Sequence, residues 1–116
     1  MKPDLPVWRS LLYVPVNVEK YVDKAHTRGA DCIQVDLEDS VPAAEKERAR
    51  KLVEGVAKKV RRAGSDVVVR INSPLENAFK DLEFAVDANV DGIAVTKTQN
   101  PDYVRKIDDF ISDVER

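Results

Sequence analysis

Apolar and polar positions along this chain follow two rhythms that take turns. Ser10-Leu-Leu-Tyr-Val14, Cys32-Ile-Gln-Val35, Val67-Val-Val-Arg-Ile71 and Asp91-Gly-Ile-Ala-Val-Thr96 are short apolar runs of the kind that form buried strands. After each run, apolar residues recur three or four positions apart, the spacing of one helical face. Val18, Val22 and Ala25 predict a first helix through Lys24, capped by Asn17 and closed by a left-handed Gly29. A second helix is expected from about Pro42 to Ala63, ended by Gly64. Its stripe is Ala49, Leu52, Val53, Val56 and Val60, with Lys46, Glu47, Arg50, Lys51, Lys58 and Arg61 on a solvated face. Phe79, Leu82, Ala85 and Val86 supply the buried face of a third helix. Asn100 caps a fourth, with Pro101 in its first turn and Val104, Ile107, Ile111 and Val114 turned inward. Pro15 stops the first strand, and Asn72-Ser-Pro74 stops the third.

The strand–helix unit therefore occurs four times, as (βα)4, which implies a parallel sheet with right-handed crossovers. Two α/β architectures accommodate it. One is a small doubly wound, flavodoxin-like sheet. The other is half of a TIM (βα)8 barrel, whose full length is typically about 250 residues. A chain of 116 residues is at most one domain.

Composition narrows the function classes. A net charge of -2 gives no electrostatic reason to expect nucleic acid or an anionic membrane as partner. No apolar run approaches the roughly 20 residues that span a bilayer. The opening Met1-Lys-Pro-Asp-Leu-Pro6 lacks the apolar core of a secretory signal, and residues 1–8 are expected to be an irregular leader with Trp8 packing as a lid. The single cysteine, Cys32, lies in a strand and faces the core, which points to a reducing, cytoplasmic compartment.

The second strand ends in Asp36-Leu-Glu-Asp39, just before a helix. Carboxylates crowded together are costly to keep ionised unless a cation meets them. Parallel α/β folds bind ligands at this end of their strands. Arg70, at the exit of the third strand, offers a planar fork that fits a carboxylate. Each residue also has a plainer role open to it. Asp39 could cap the second helix, and Arg70 could pair with the acids of the second strand. Lys97 could line the site or pair with Glu38, Lys20 and Lys24 could be surface lysines, and Tyr13 could be simple packing. His26, on a helix far from any strand exit, is expected to be exposed and is not assigned as a base.

Four stretches carry a family likeness: Arg9-Ser-Leu-Leu-Tyr-Val-Pro15, Asp36-Leu-Glu-Asp-Ser-Val41, Val69-Arg-Ile-Asn72 and Thr96-Lys97. In this order and spacing they resemble the citrate lyase β-subunit-like branch of the HpcH/HpaI aldolase family, which includes malyl-CoA and citramalyl-CoA lyases. The likeness runs from Arg9 to about Val104. It implies that residues 9–116 are the amino-terminal half of a TIM-barrel lyase domain. It also implies Mg²⁺-dependent carbon–carbon bond cleavage in a 3-hydroxyacyl-CoA or a related hydroxy or oxo acid.

On this resemblance Arg70 matches the arginine that grips a substrate carboxylate or carbonyl. Glu38 matches the acid beside it, and Glu38 and Asp39 are the candidate catalytic residues. Tyr13, Lys20 and Lys24 fall at or near positions that contact the CoA portion. The family's metal ligands, a Glu and an Asp of later strands, are expected beyond Arg116, so no metal ligand is assigned within this chain. Val16 stands where the family has glycine, and a side chain there is expected to narrow the approach to the CoA phosphates.

The resulting expectation is the substrate-gripping half of a lyase, inactive alone, as a homo-oligomer or paired with a second half-barrel. A non-catalytic assembly half-barrel is the alternative from another class. A receiver-like Mg²⁺-binding domain fits less well, because the acids follow the second strand rather than the first and third.

Overall fold

The computed structural model describes residues 6–98 and 100–116. Four parallel strands alternate with four helices: β1 (Leu11–Pro15), α1 (Glu19–Ala25), β2 (Cys32–Asp36), α2 (Lys46–Val60), β3 (Asp66–Arg70), α3 (Leu75–Ala85), β4 (Gly92–Ala94) and α4 (Pro101–Glu115). Their order in the sheet is β1-β2-β3-β4. A flavodoxin-like sheet would place the second strand outside the first. Sequential order is that of a barrel wall, so the fold is a (βα)4 unit consistent with half a TIM barrel.

Each helix packs against the next, α1 on α2, α2 on α3 and α3 on α4, which sets all four on one side of the sheet. Side chains alternate across a strand. Val14, Ile33, Val35, Val67 and Val69 accordingly join the helices in one apolar core with Val22, Ala49, Val53, Val60, Leu82 and Ile107. Phe79 of α3 stacks on Phe110 of α4, with ring centroids 4.4 Å apart. The register Pro15–Asp36–Arg70–Ala94 brings all four strand ends side by side. The described sheet leaves β1 and β4 each with one unpaired side.

Several local expectations change. Val18 rather than Asn17 precedes α1, and Asn17 instead donates from Nδ2 to Glu45 Oε2 at 2.8 Å. The second helix begins as a 3-10 turn, Ala43–Glu45, and the α-helix ends at Val60. Leu52 is only partly buried, whereas its neighbours Val53 and Ala57 are sealed. In α4 only Ile107 is fully buried, and Val104 is 48% exposed. An inward stripe needs an element to cover it, and α4 has α3 on one flank only among the described elements. Asn100 does cap α4, accepting the Tyr103 N–H at 2.9 Å, with Pro101 in the first turn. Gly29 and Gly64 have positive φ values, 74° and 97°, but each lies three residues past the helix C-cap, His26 and Arg61, in the turn that leads to the next strand rather than at the helix end itself.

The expected leader lies mostly outside the described residues. Trp8 is described and is not a lid over the strand exits: its indole donates to Asp66 Oδ2 at 2.7 Å, at the opposite end of β3. No helix among the described residues is long and apolar enough to cross a membrane.

Candidate functional site at the strand exits

Asp36 ends β2 and Arg70 ends β3, directly in register. Arg70 donates from Nε to Asp36 Oδ1 at 2.8 Å and from Nη2 to Oδ2 at 2.9 Å. The chain after β2 wraps around the same carboxylate. Oδ1 accepts the Glu38 N–H at 2.8 Å, while Oδ2 accepts the Ser40 N–H at 2.9 Å and its hydroxyl at 2.6 Å. This is the local habit of aspartate, which satisfies the N–H groups two to four residues ahead. Burial alone would push the Asp36 carboxyl up, but Arg70, Ser40 and the two backbone donors outweigh it and hold the group well below the usual carboxylate range. Arg70 is raised in turn, chiefly by its bonds to Asp36.

The turn delivers Glu38 to the other flank of the arginine. Glu38 is 6% exposed, and its Oε1 lies 3.8 Å from Arg70 Nε without a hydrogen-bond partner. Its Oε2 accepts from Lys97 Nζ, which also approaches Asp39 Oδ1 at 3.5 Å. That contact with Glu38 is the main cause of a raised Lys97 pKa. Asp39 is exposed and lowered, first by the neighbouring Glu38 side chain and then, against some desolvation, by the Lys97 charge. Asp39 does not cap α2, whose N-cap is Glu45. Lys97 holds a left-handed φ of 54°, a conformation that a side chain with a Cβ adopts only at some cost. It sits three residues past β4, which is shorter than the sequence predicts.

Tyr13, on β1, completes the cluster: Arg70 Cζ lies 5.5 Å from its ring centroid, within cation–π range. Tyr13 also lines an open groove of about 500 Å³ beside α1, together with Lys20, Tyr21, Lys24 and Arg28. Lys20 Nζ stands 5.1 Å from the centre of the Tyr21 ring. The sequence candidates thus fall into two connected sets. Arg70, Glu38 and Asp39 meet at the strand exits, Lys20 and Lys24 meet in the groove, and Tyr13 belongs to both. Val16 narrows neither, because its side chain is buried in the core at 2% exposure.

Over residues 9–116 the chain matches the HpcH/HpaI aldolase/citrate lyase family. It belongs to that family. Similar proteins include citrate lyase subunit beta of Leuconostoc mesenteroides subsp. cremoris, 36% identical over 93% of this chain and 36% of the relative. A (3S)-malyl-CoA thioesterase of Cereibacter sphaeroides is 36% identical over 78% of this chain and 32% of the relative. Human mitochondrial citramalyl-CoA lyase is 30% identical over 90% and 32%. The chain spans about a third of the length of these relatives. Among solved structures, RipC from Yersinia pestis aligns with a TM-score of 0.64 at 25% identity, over 90% of this chain and 41% of that one.

The carboxylates of this family member do not fit a divalent cation unaided. Both Asp36 oxygens are committed to Arg70, Ser40 and Glu38 N–H, and Lys97 claims Glu38 Oε2. Among the described residues no group of three or more His, Cys, Asp or Glu side chains converges on one point. Cys32 is buried in β2. His26 is partly buried rather than exposed, with Nδ1 enclosed and unbonded, and it lies at the end of α1 next to Gly29 and Asp31, away from the exits.

A second polar cluster, absent from the sequence reading, lies behind the exits. Lys46 and Arg50, assigned there to a solvated face, turn instead toward Asn72 and a fully buried Asp81. Their spacing of four marks one helical face, but only the inward Asp81 on α3 tells that face from a wet one.

Proposed function

We propose that this chain is the substrate-gripping, amino-terminal half of a TIM-barrel carbon–carbon lyase that acts on a 3-hydroxyacyl-CoA or a related hydroxy or oxo acid. The observation that carries the reading is the position of Tyr13, which touches Arg70 on one side and lines the basic groove on the other. An acyl-CoA has the same bipartite form, a small acid at one end and phosphates at the other. Lys20, Lys24 and Arg28 suit the phosphates as point charges.

At the acid end, Arg70 spends its Nε and Nη2 on Asp36, and Nη1 makes no hydrogen bond among the described residues. That free edge is assigned to a substrate carboxylate or carbonyl. Asp36, which stays ionised, keeps the guanidinium from swinging away. Glu38 Oε1, buried and unbonded, is assigned to the substrate hydroxyl. Cleaving the bond between C2 and C3 of a 3-hydroxyacyl group turns that hydroxyl into a carbonyl, so its proton must be taken up. A buried carboxylate at hydrogen-bond reach can accept it, and Asp39, at the exposed edge of the cluster, is assigned to passing it to water. The electron pair of the broken bond goes to the departing acyl enolate. The family resemblance implies a Mg²⁺, which would supply positive charge for that enolate; the described carboxylates of this chain would not hold it by themselves. We place the protein in the cytoplasm, where acyl-CoA esters and a reduced Cys32 are at home.

Calorimetric titration with malyl-CoA, citramalyl-CoA, free CoA and the free acids tests this reading. Binding of a thioester that is lost in Arg70→Ala supports it, and equal binding by both proteins overturns it. Steady release of acetyl-CoA or pyruvate by these 116 residues alone would contradict the need for a second half.

The unpaired sides of β1 and β4 favour one second reading, a non-catalytic assembly half-barrel. Leu11 and Tyr13 on β1 are 44% and 59% exposed. Sedimentation showing a dimer that binds no thioester would support that reading, and a folded monomer would oppose it.

A further inference from the structure

We infer that Lys46 is a positioning residue for Glu38, held in place by a buried chain of bonds through Asn72 and Asp81 to Arg50; this rests on the reading of the Arg70–Glu38 cluster as the substrate site. A lysine ammonium has three N–H donors and no acceptor. Lys46 Nζ has three oxygens within reach: the main-chain carbonyls of Leu37 at 3.2 Å and Glu38 at 2.9 Å, and Asn72 Oδ1 at 2.7 Å. Two of the three belong to the peptide units that carry the chain from Asp36 to Glu38 and beyond. These carbonyls lie past the end of β2; Glu38 O also accepts the Val41 N–H at 3.2 Å and Leu37 O accepts from Asn72 Nδ2 at 2.8 Å, so Lys46 is the one donor that ties both carbonyls to α2.

Asn72 is oriented rather than free to rotate. Its Nδ2 donates to Leu37 O at 2.8 Å and to Asp81 Oδ2 at 2.7 Å, and its backbone N–H donates to the same Asp81 oxygen at 2.7 Å. Arg50 Nε closes the chain on Asp81 Oδ1 at 2.6 Å. Asp81 is wholly buried and Asn72 nearly so. Lys46 and Asn72 thus meet the two carbonyls, and Asp81 and Arg50 extend the chain behind them. A packing role alone would not need to end there. The atoms held belong to the segment that sets Glu38 against Arg70 and Lys97.

Charge supports the same division. The exits hold the carboxylates of Asp36, Glu38 and Asp39 against Arg70 and Lys97, an excess of one negative charge. Lys46 and Arg50 against Asp81 leave an excess of one positive charge immediately behind. The second cluster therefore balances the first across the Leu37–Glu38 backbone.

The test compares wild type, Lys46→Met and a Lys46→Cys protein alkylated with bromoethylamine, which rebuilds an ammonium at lysine length. Hydrogen exchange at Arg70 Nε–H reports the exits, and the amides of Val53 and Val69 report global folding. Lys46→Met should speed Arg70 exchange by about tenfold or more while Val53 and Val69 stay protected, and alkylation should restore the slow rate. Lys58→Met, on the outer face of the same helix, should change neither. Unchanged Arg70 exchange overturns the proposal, as does equal acceleration at all three sites, the mark of a merely structural lysine. Should Lys46→Met not fold, Arg50→Gln at the outer end of the chain is read by the same criteria. Exchange needs no substrate, so failure of the thioester titration and failure of this inference are separate outcomes. Where the titration succeeds, Lys46→Met should weaken the hydroxyacyl ester more than free CoA.

Discussion

Arg70 and Asp36 occupy the last paired positions of neighbouring strands, and both oxygens of the aspartate receive the guanidinium, at 2.8 and 2.9 Å. The arginine fork, the natural grip for a substrate acid, is therefore half used by the protein itself. What remains for a ligand is a pre-aimed edge, braced by Tyr13 and flanked by Glu38. On the proposed function, preorganisation of this kind would spare a substrate the cost of ordering a long side chain.

Asp36→Asn should therefore destabilise the fold at neutral pH, by about 3–5 kcal/mol, because it leaves Arg70 without its buried partner. Urea unfolding monitored by circular dichroism measures this. The pH dependence follows from the depressed folded-state pKa. The stabilisation is fully present above the ordinary aspartate value of 3.8 and is lost as pH falls below it. The difference between wild type and Asp36→Asn should accordingly shrink on acidification below that value, and a constant difference would count against the pairing.

Arg70→Lys should keep a positive charge yet lose the planar fork, and so weaken thioester binding by about 1.5–3 kcal/mol. Titration calorimetry gives the affinity directly. Equal affinity in Arg70→Lys would mean that the site reads charge alone.

Lys97 allows conformation to be separated from charge. Lys97→Ala and Lys97→Gly both delete the ion pair with Glu38, but only glycine is at ease at φ 54°. The glycine variant should be more stable than the alanine variant by about 1 kcal/mol. Thermal unfolding of the pair tests it, and the reverse order would show that this backbone position relaxes.

Core substitutions should follow burial rather than helical spacing. Leu82→Ala, at a sealed position, should cost about 2–5 kcal/mol. Leu52→Ala lies on the expected stripe of α2 but is only partly buried, and should cost about 1 kcal/mol. Denaturant midpoints at constant m-value decide the order.

Much of this protein could be read along the chain because the causes are local. The apolar runs specify strands, the three-and-four spacing specifies helices, Asn100 marks a helix start through its own side chain, and Gly29 and Gly64 mark the turns that follow the first two helices. That Asp36, Glu38 and Arg70 gather at one rim also follows locally, since parallel strands deliver all their ends to the same side. Tertiary structure alone decided what those groups touch. Whether Arg70 meets Asp36 or a ligand, whether Val16 points to the rim or the core, and whether Lys46 and Arg50 are wet or enclosed all depend on residues more than a helix away. Strand order belongs with these, for a flavodoxin-like sheet and a barrel wall share one local pattern. Periodicity fixes which way a side chain leaves its own element, and only packing determines what stands there to receive it.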